Sequence, residues 1–431
     1  MRVLVTGGYG FIGANIVAAL VASGHEVVCA VRRARMDSRF PGLQAIACDM
    51  NTDVHIDDWL SRLDGIDAVV NAAGILREGK TASFINVHER SPLALFGACA
   101  RRGIRHVVQI SALGHPDDGE FIASKHRCDE AMQSLDASYI VMRPSLVYSA
   151  RGSYGGTSLL RALSALPFVV PLPGAGMQSV QPIAAEDVGI AVVASLNRPG
   201  KVHEVLELVG PDIMPLREYL LAWRRWLGFA PPLLLRTPIV LTRLAAVCGE
   251  RFGDGPVGRT MTRMLERGNI GAAGAADRLT QVLGVAPRPL SRALVEAPSH
   301  VQDRWHARLY FVLPLTRSLM ALLWIASGLV GWLTPRPRLL DATAGFAALS
   351  PGSIVMLARA TGSLDLLLGI LCLVRWRPHV VLSGMLAMLL GYTVIIGITW
   401  PVHWLDPFGG LLKNVPLLGL LLLLLVTEDR R

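Results

Sequence analysis

The chain has 431 residues, of which 52% are apolar and 17% charged, so it is longer than one ordinary domain and more apolar than a protein solvated only by water. Its formal net charge is +9, but only four basic residues are lysines (Lys80, Lys125, Lys201, Lys413), and the arginines are spread without a dense run, which argues against nucleic acid as a partner. The six cysteines (Cys29, Cys48, Cys99, Cys128, Cys248, Cys372) form no C-x-x-C pair and read as buried, reduced thiols.

The first residues do not read as a signal peptide, because Arg2 is followed by a short apolar run and then glycines. That run, 3–6, predicts a strand, and 11–23 predicts a helix stopped by Gly24. Further strands are predicted at 26–31, 43–48, 66–71, 104–110 and 138–142, with helical patterns between them. Gly103 closes the helix at 91–102. Repeated βα units with apolar strands imply an α/β, Rossmann-type doubly wound parallel sheet covered on both faces. From 143 to about 236 the pattern loosens around Pro171, Pro173, Gly174, Gly176 and Pro182, as expected of the far wall of a pocket. Short helices follow to 305. Among them Met261, Met264 and Leu265 share a face beside Arg259, Arg263 and Arg267, which suits either an interfacial helix or an ordinary packing helix.

Four apolar segments close the chain, near 309–333, 354–374, 380–400 and 411–426, and imply a C-terminal four-helix transmembrane bundle. Arg304, Arg308, Arg317, Arg375, Arg377, Arg430 and Arg431 fall on one side, against Arg336, Arg338 and Lys413 on the other. Positive-inside counting therefore places the N-terminal domain and the C-terminus in the cytoplasm, on an inner or plasma membrane. The expected division is 1–235, a nucleotide-binding domain; 236–305, a helical linker; and 306–431, the membrane domain.

The chemistry starts at Thr6-Gly7-Gly8-Tyr9-Gly10-Phe11-Ile12-Gly13, between strand and helix. Gly7 permits a tight turn, Gly10 lets the backbone approach a pyrophosphate, and Gly13 lets the helix pack closely. Thr6, Phe11 and Ile12 belong to the same cofactor-binding set. At the end of the second strand an NAD site carries an acid for the ribose 2′-hydroxyl. Here Arg32 and Arg33 stand instead, which favours NADP(H) over NAD(H). Asp49, after the third strand, suits either the adenine amino group or a simple turn.

Residues 1 to about 235 resemble the short-chain dehydrogenase/reductase superfamily in its extended or atypical branch. The resemblance rests on the glycine motif, Asn71-Ala72-Ala73-Gly74, Asn86, Arg143-Pro144-Ser145-Leu146-Val147-Tyr148, and Gln181-Pro182 with Asp187-Val188. It is similar to the accessory NAD(P)H-binding subunits of respiratory complex I. The resemblance implies that Ala72, Ala73 and Gly74 line the cofactor. It also implies a Tyr-x-x-x-Lys pair, whose counterpart here is Phe121-Ile122-Ala123-Ser124-Lys125. Lys125, with Asn86 and Ser111, carries over as candidate catalytic machinery, and Lys125 also binds cofactor. Phe121 has no hydroxyl and cannot donate a proton. Either Tyr148, Tyr154, His115 or a water replaces it, or cofactor binding persists without ordinary carbonyl reduction.

Residues 306–431 resemble the DoxX-like membrane family, through the stretch 403–416 and Thr361-Gly362-Ser363-Leu364-Asp365. Arg359 and Asp365 lie inside a span on different helix faces, so Lys413 or His403 is the expected partner of Asp365. Its expected role is either a polar redox or proton site or a structural ion pair. His88, His106, His126, His300 and His306 have no metal-ligand spacing and read as solvated or capping, and no metal is expected. Three functions follow. One is an oxidoreductase acting on a lipid-soluble or quinone-like substrate. Another is a cofactor-loaded scaffold or sensor for a membrane-protein partner. A sugar-nucleotide epimerase or dehydratase is the third, and Phe121 argues against it.

Overall fold

The computed structural model describes residues 1–32, 40–79, 81–134, 138–198, 203–252, 258–343, 350–407 and 409–428. It divides into two compact units, Met1–Ala307 and Arg308–Arg431.

In the first unit the strands β1 (Arg2–Thr6), β2 (Glu26–Val31), β3 (Gln44–Ala47), β4 (Ala68–Asn71), β5 (His106–Ile110), β6 (Tyr139–Pro144) and β7 (His203–Leu208) form one sheet. Its order is β7-β6-β5-β4-β1-β2-β3, and every pair is parallel. Successive residues of β1 feed opposite layers. Val3 and Val5 pack with Ile16, Val17 and Leu20 of α1 (Phe11–Ala22) and with Val188 and Val192 of a helix at Ala185–Leu196. Leu4 packs on the other side with Trp59, with Leu95 and Phe96 of α2 (Ser91–Arg102), and with Cys128 and Met132 of α3 (Glu120–Met132). Two covered faces are why the strands read as unbroken apolar runs.

β7 was not among the predicted strands. It is an edge strand, and its Glu204 and Glu207 engage Arg278 and the amide of Ala272, so its apolar signal is diluted by charge.

A second lobe of this unit, centred on Tyr148, Val170, Leu172, Tyr219, Leu220 and Trp223, forms beyond β6. The stretch 236–305 is packed into both cores. Leu279, Leu283 and Val285 join the sheet layer, and Leu290, Ala293 and Leu294 join the second lobe. The helix Arg259–Arg267 is a packing helix. Leu265 sits against the second lobe, Arg267 pairs with buried Asp118 at 2.8 Å, and Thr260 covers Gly119 so closely that a Cβ there has no room. The thiols depart from expectation at one position: Cys248 is exposed, while the other five are buried.

Among the described residues three helices are long and apolar enough to cross a membrane: α4 (Val301–Leu333), α5 (Pro351–Leu373) and α6 (Pro378–Thr399). The expected fourth span is shorter than expected. A single turn at Leu411–Lys413 leads into α7 (Asn414–Val426), whose 13 residues fall below the roughly 20 needed for a full crossing. Gly362 and Gly369 of α5 face α4, and a Cβ on Gly369 would stand 2.9 Å from the Ala321 carbonyl, so small residues set this helix contact.

Asp365 is met by hydroxyls rather than by Lys413 or His403. It accepts from Ser327 Oγ at 3.0 Å, and the Tyr392 hydroxyl lies 3.5 Å away. Arg359 instead donates to the carbonyls of Gly331 (2.6 Å), Trp332 and Thr334 (3.0 Å). Buried Glu428 binds Arg317 and Arg375, which brings the turn after α5 and the end of α7 to the Arg317 level of α4. Arg430, Arg431 and Phe408 of the 403–416 stretch lie outside the described residues.

Candidate functional site

The strand order reverses between β1 and β4. The chain leaves β1 toward β2 and β3 and returns to pair β4 on its other side, so the loops after β1 and β4 diverge and open a crevice. Gly7 turns there with φ +65°, and a Cβ on it would lie 2.7 Å from the Ala72 carbonyl oxygen and 2.8 Å from Ala73 Cα. Only glycine lets the two loops approach this closely. The Gly10 amide donates to the Gly7 carbonyl at 2.8 Å and closes the turn. Gly10 is the N-cap of α1. No side chain caps the helix and no acid sits in its first turn, so its leading amides meet no carboxylate. Gly13 packs on Gly7, where a Cβ would come within 2.8 Å of the Gly7 carbonyl carbon.

Beneath this turn runs a buried polar ladder across three strand ends. Thr6 Oγ1 donates to Asn71 Oδ1, and Asn71 Nδ2 donates to Gln109 Oε1 at 2.7 Å. Asn71 Oδ1 also takes the Ala73 amide at 3.3 Å, which holds the Ala72-Ala73-Gly74 loop against the glycine turn. Arg32 is exposed directly after β2, and Arg33 lies outside the described residues. Asp49 forms a turn: its Oδ1 accepts from the Asn51 amide at 2.9 Å, and its own amide donates to Asp53 at 2.8 Å.

The candidate catalytic residues are brought to the same edge of the sheet, in different states. Lys125 on α3 is buried, and its Nζ donates to the Ile110 carbonyl at 3.1 Å and lies beside Gly74. Burial pulls its pKa down, partly opposed by Asp129. Ser111 donates to Asp129 at 2.7 Å, and Arg143 holds the same carboxylate at 2.9 Å. Asn86 lies on a π-helical turn, Ile85–Arg90, leading into α2. Its Nδ2 donates to the Asn51 carbonyl at 3.0 Å, and its Oδ1 is buried without a hydrogen-bond partner.

Phe121 packs edge-on against His88, with centroids 5.7 Å apart, and against Phe84 at 6.4 Å. His88 is neither solvated nor a cap, contrary to expectation, and is almost wholly buried. Its Nε2 accepts from the Ile75 amide at 3.1 Å, so Nδ1 carries the proton and donates to Ser124 Oγ at 2.9 Å. Burial first, and then the Lys125 charge, lower its pKa to about 2, so His88 is neutral. His126 is also buried, with Nε2 3.0 Å from the Ala112 carbonyl, and His115, considered above as a proton donor, caps the turn at Pro116–Asp118. Sequence patterns had no means of finding His88. A lone histidine carries no spacing signal, and only tertiary packing sets it beside Phe121 and Lys125. Of the other hydroxyls considered, Tyr148 is fully buried with no hydrogen-bond partner and Tyr154 is exposed. Among the described residues no group of three His, Cys, Asp or Glu is arranged to hold a metal.

Neutral His88 makes stability depend on pH. The unfolded imidazole takes a proton below about 6.5, while the folded one resists until about 2. Stability therefore falls as pH drops through that window, by about 1.4 kcal/mol per pH unit from this residue. His88→Gln keeps a donor and an acceptor. It is expected to reduce the stability lost between pH 7 and 5 by roughly 2 kcal/mol, read by tryptophan fluorescence during chemical denaturation of the full chain in mild detergent. An unchanged slope would show that folded His88 takes up its proton over the same range as the unfolded imidazole.

A seven-stranded, doubly wound sheet with a glycine turn at its switch point defines a Rossmann-type protein. Residues 3–207 match the NAD dependent epimerase/dehydratase family model, and residues 321–422 match the DoxX-like family model. The chain is thus a short-chain dehydrogenase/reductase-like domain of the epimerase type joined to a DoxX-like membrane domain. It is 27% identical over 250 residues to ceramide reductase of Caulobacter vibrioides, covering 57% of this chain and 77% of that protein. It is also 27% identical over 232 residues to NADH dehydrogenase [ubiquinone] 1 alpha subcomplex subunit 9, mitochondrial, of Arabidopsis thaliana, covering 50% of this chain and 55% of that one. The structure of Thermus thermophilus UDP-glucose 4-epimerase in complex with NAD superposes with a TM-score of 0.52 at 21% identity, over 72% of this chain and 99% of that one. That likeness concerns the fold alone.

Proposed function

We propose that this protein is a membrane-anchored NAD(P)(H)-dependent oxidoreductase acting on a lipid-soluble substrate, quinone-like acceptors included. The observation that carries the reading is the glycine turn at an uncapped helix start, in a chain that also holds membrane-length helices. In this reading the amides around Gly7, Gly10, Phe11, Ile12 and Gly13 hold the pyrophosphate. Ala72, Ala73 and Gly74 line the cofactor, and Lys125 holds the nicotinamide ribose. Ser111, turned to Asp129, positions rather than reacts. Bound there, the dinucleotide supplies or accepts a hydride. The likeness to a protein named ceramide reductase supports a lipid as the substrate class.

Phe121 favours a second reading, a cofactor-loaded scaffold or sensor for a membrane or respiratory partner. The likeness to an NADH dehydrogenase subunit agrees with it. The purified full chain in detergent separates the two. Oxidation of NADPH or NADH by a short-chain quinone or a lipid carbonyl supports the first. A cofactor that co-purifies and is consumed by neither supports the second.

Arg32 and Arg33 are proposed to select NADP(H). Replacing both by alanine removes charge-assisted contacts worth about 1.5–3 kcal/mol, so NADPH affinity is expected to fall roughly tenfold or more relative to NADH. Equal loss for both cofactors in calorimetry would end that assignment.

For topology, four spans with both termini in the cytoplasm are proposed. The pairing of Glu428 with Arg317 and Arg375 supports a common level for those groups. In a Cys248→Ser background, an impermeant thiol reagent added outside is expected to label Pro337→Cys and Asp406→Cys and to miss Trp376→Cys. The reverse pattern would remove the dinucleotide domain from the cytoplasm.

A further inference from the structure

The second lobe of the first unit carries an apolar surface at odds with water. Phe168 is 85% exposed and held at φ 64°, a backbone conformation a phenylalanine rarely adopts. Its carbonyl accepts from the Leu233 amide at 2.7 Å, which joins it to the strand Leu233–Thr237, where Leu233 is 68% exposed. The helix that follows, Ile239–Phe252, exposes Val240, Leu241, Leu244 and Val247 at spacings of one helix face. Its packed side is fastened: Ala246 is fully buried and the Gly249 carbonyl accepts from Arg77 at 2.8 Å, while Arg243, exposed at the edge of the apolar face, pairs with Glu266 at 2.7 Å. Phe168 and Leu233 at one end of this strand pair, and the helix that leaves its other end, thus present exposed apolar groups of the kind that mark an interaction surface.

The occupant is indicated by what stands next to it. Ala307, at the foot of α4 and still within the first unit, is buried against Ala165 and Leu227. Ala165 is three residues before Phe168, and Arg224 clamps the intervening turn through the carbonyls of Ser164 (2.9 Å) and Leu166 (2.8 Å). The apolar face therefore begins beside the point where the chain turns into its first membrane-length helix. Exposed Trp305 lies on that same helix foot. Tryptophan is favoured at the headgroup level.

We propose that Phe168, Leu233 and the Val240–Leu244 face of the first unit dock into the headgroup–acyl boundary of the phospholipid bilayer that α4 enters. The docked elements reach the candidate site from their other side. The Arg77 contact holds the helix to the loop after β4. The next helix, Arg259–Arg267, covers Gly119, the residue before α3 and two before Phe121. Resting on the oxidoreductase reading, the same face gives a membrane-dissolved substrate a path to the site that does not cross bulk water.

Cys248 provides the probe, because it is the one exposed thiol among the described residues and lies on the docking helix. The full chain is labelled there with an environment-sensitive nitrobenzoxadiazole dye and reconstituted in phosphatidylcholine–phosphatidylglycerol vesicles. Blue-shifted emission, quenched by shallow doxyl-labelled phosphatidylcholine, is the expected result. A Cys248→Ser/Asp57→Cys control, whose label is solvent-exposed, should be unquenched. Emission at Cys248 matching that control would overturn the proposal. Shielding without lipid quenching, together with Cys248–Cys248 cross-linking, would assign the face to a second copy and also overturn it. Val240→Asp/Leu244→Asp, at exposed positions, should abolish the quenching and leave cofactor affinity unchanged. If the protein reduces acceptors, turnover of a bilayer-dissolved acceptor should fall at least tenfold in that variant while a water-soluble acceptor is unaffected. If it reduces none, the oxidoreductase reading fails and the quenching result still decides the docking.

Discussion

Gly10→Asp is expected to abolish dinucleotide binding while the chain folds and inserts normally. Gly10 has φ −75° and ψ 173°, a conformation open to any residue, and a Cβ there would meet only the Gly7 carbonyl at 3.1 Å. It is also the N-cap of α1, where aspartate is a preferred residue, so the helix is not weakened. The carboxylate would take up the leading amides and set a negative charge where the pyrophosphate is proposed to lie. Losing at least two charge-assisted hydrogen bonds of about 1.5–3 kcal/mol each predicts an affinity loss of about 100-fold or more. Calorimetry with NADH and NADPH on the detergent-purified chain measures it. Unchanged affinity would remove the site assignment. Gly13→Ala makes the useful contrast: its Cβ would collide with the Gly7 backbone, so stability and binding should fall together.

The second large effect is a gain. Phe121→Tyr is expected to create or raise carbonyl reductase activity by about 10²–10⁴-fold, the range a positioned general acid contributes. The ring already lies against His88 and Phe84, and Lys125 is on the same helix one turn on. A buried cation nearby favours the phenolate and so makes the phenol a better acid. Lys125→Met in the Phe121→Tyr background should reverse the gain. No gain across a broad carbonyl panel would favour the scaffold reading.

Much of the sheet could be read directly. β1, β2, β4, β5 and β6 are apolar on both faces because helices cover both, and such strands announce themselves without any partner being known. β7 could not, since an edge strand carrying Glu204 and Glu207 satisfies its charges only through Arg278 and Ala272, some 70 residues away. The glycine turn was legible because its spacing is a local steric requirement. The partners of Asp365 were not: several hydroxyls and cations could answer a buried carboxylate, and helix packing selects Ser327 and Tyr392.

The sequence by itself determined the class of the first unit, the membrane-forming character of the second, and that a phenylalanine, Phe121, stands four residues before Lys125. Each rests on residue identity, local periodicity or segment length, and these act within a few turns of chain. Tertiary structure alone decided that His88 is buried and neutral beside Phe121, that Ser111 turns to Asp129, and that the helix at Ile239–Phe252 shows an apolar face outward. Those outcomes depend on which distant groups meet and which are shielded from water, and burial and pairing are properties of the packed chain rather than of any segment in it.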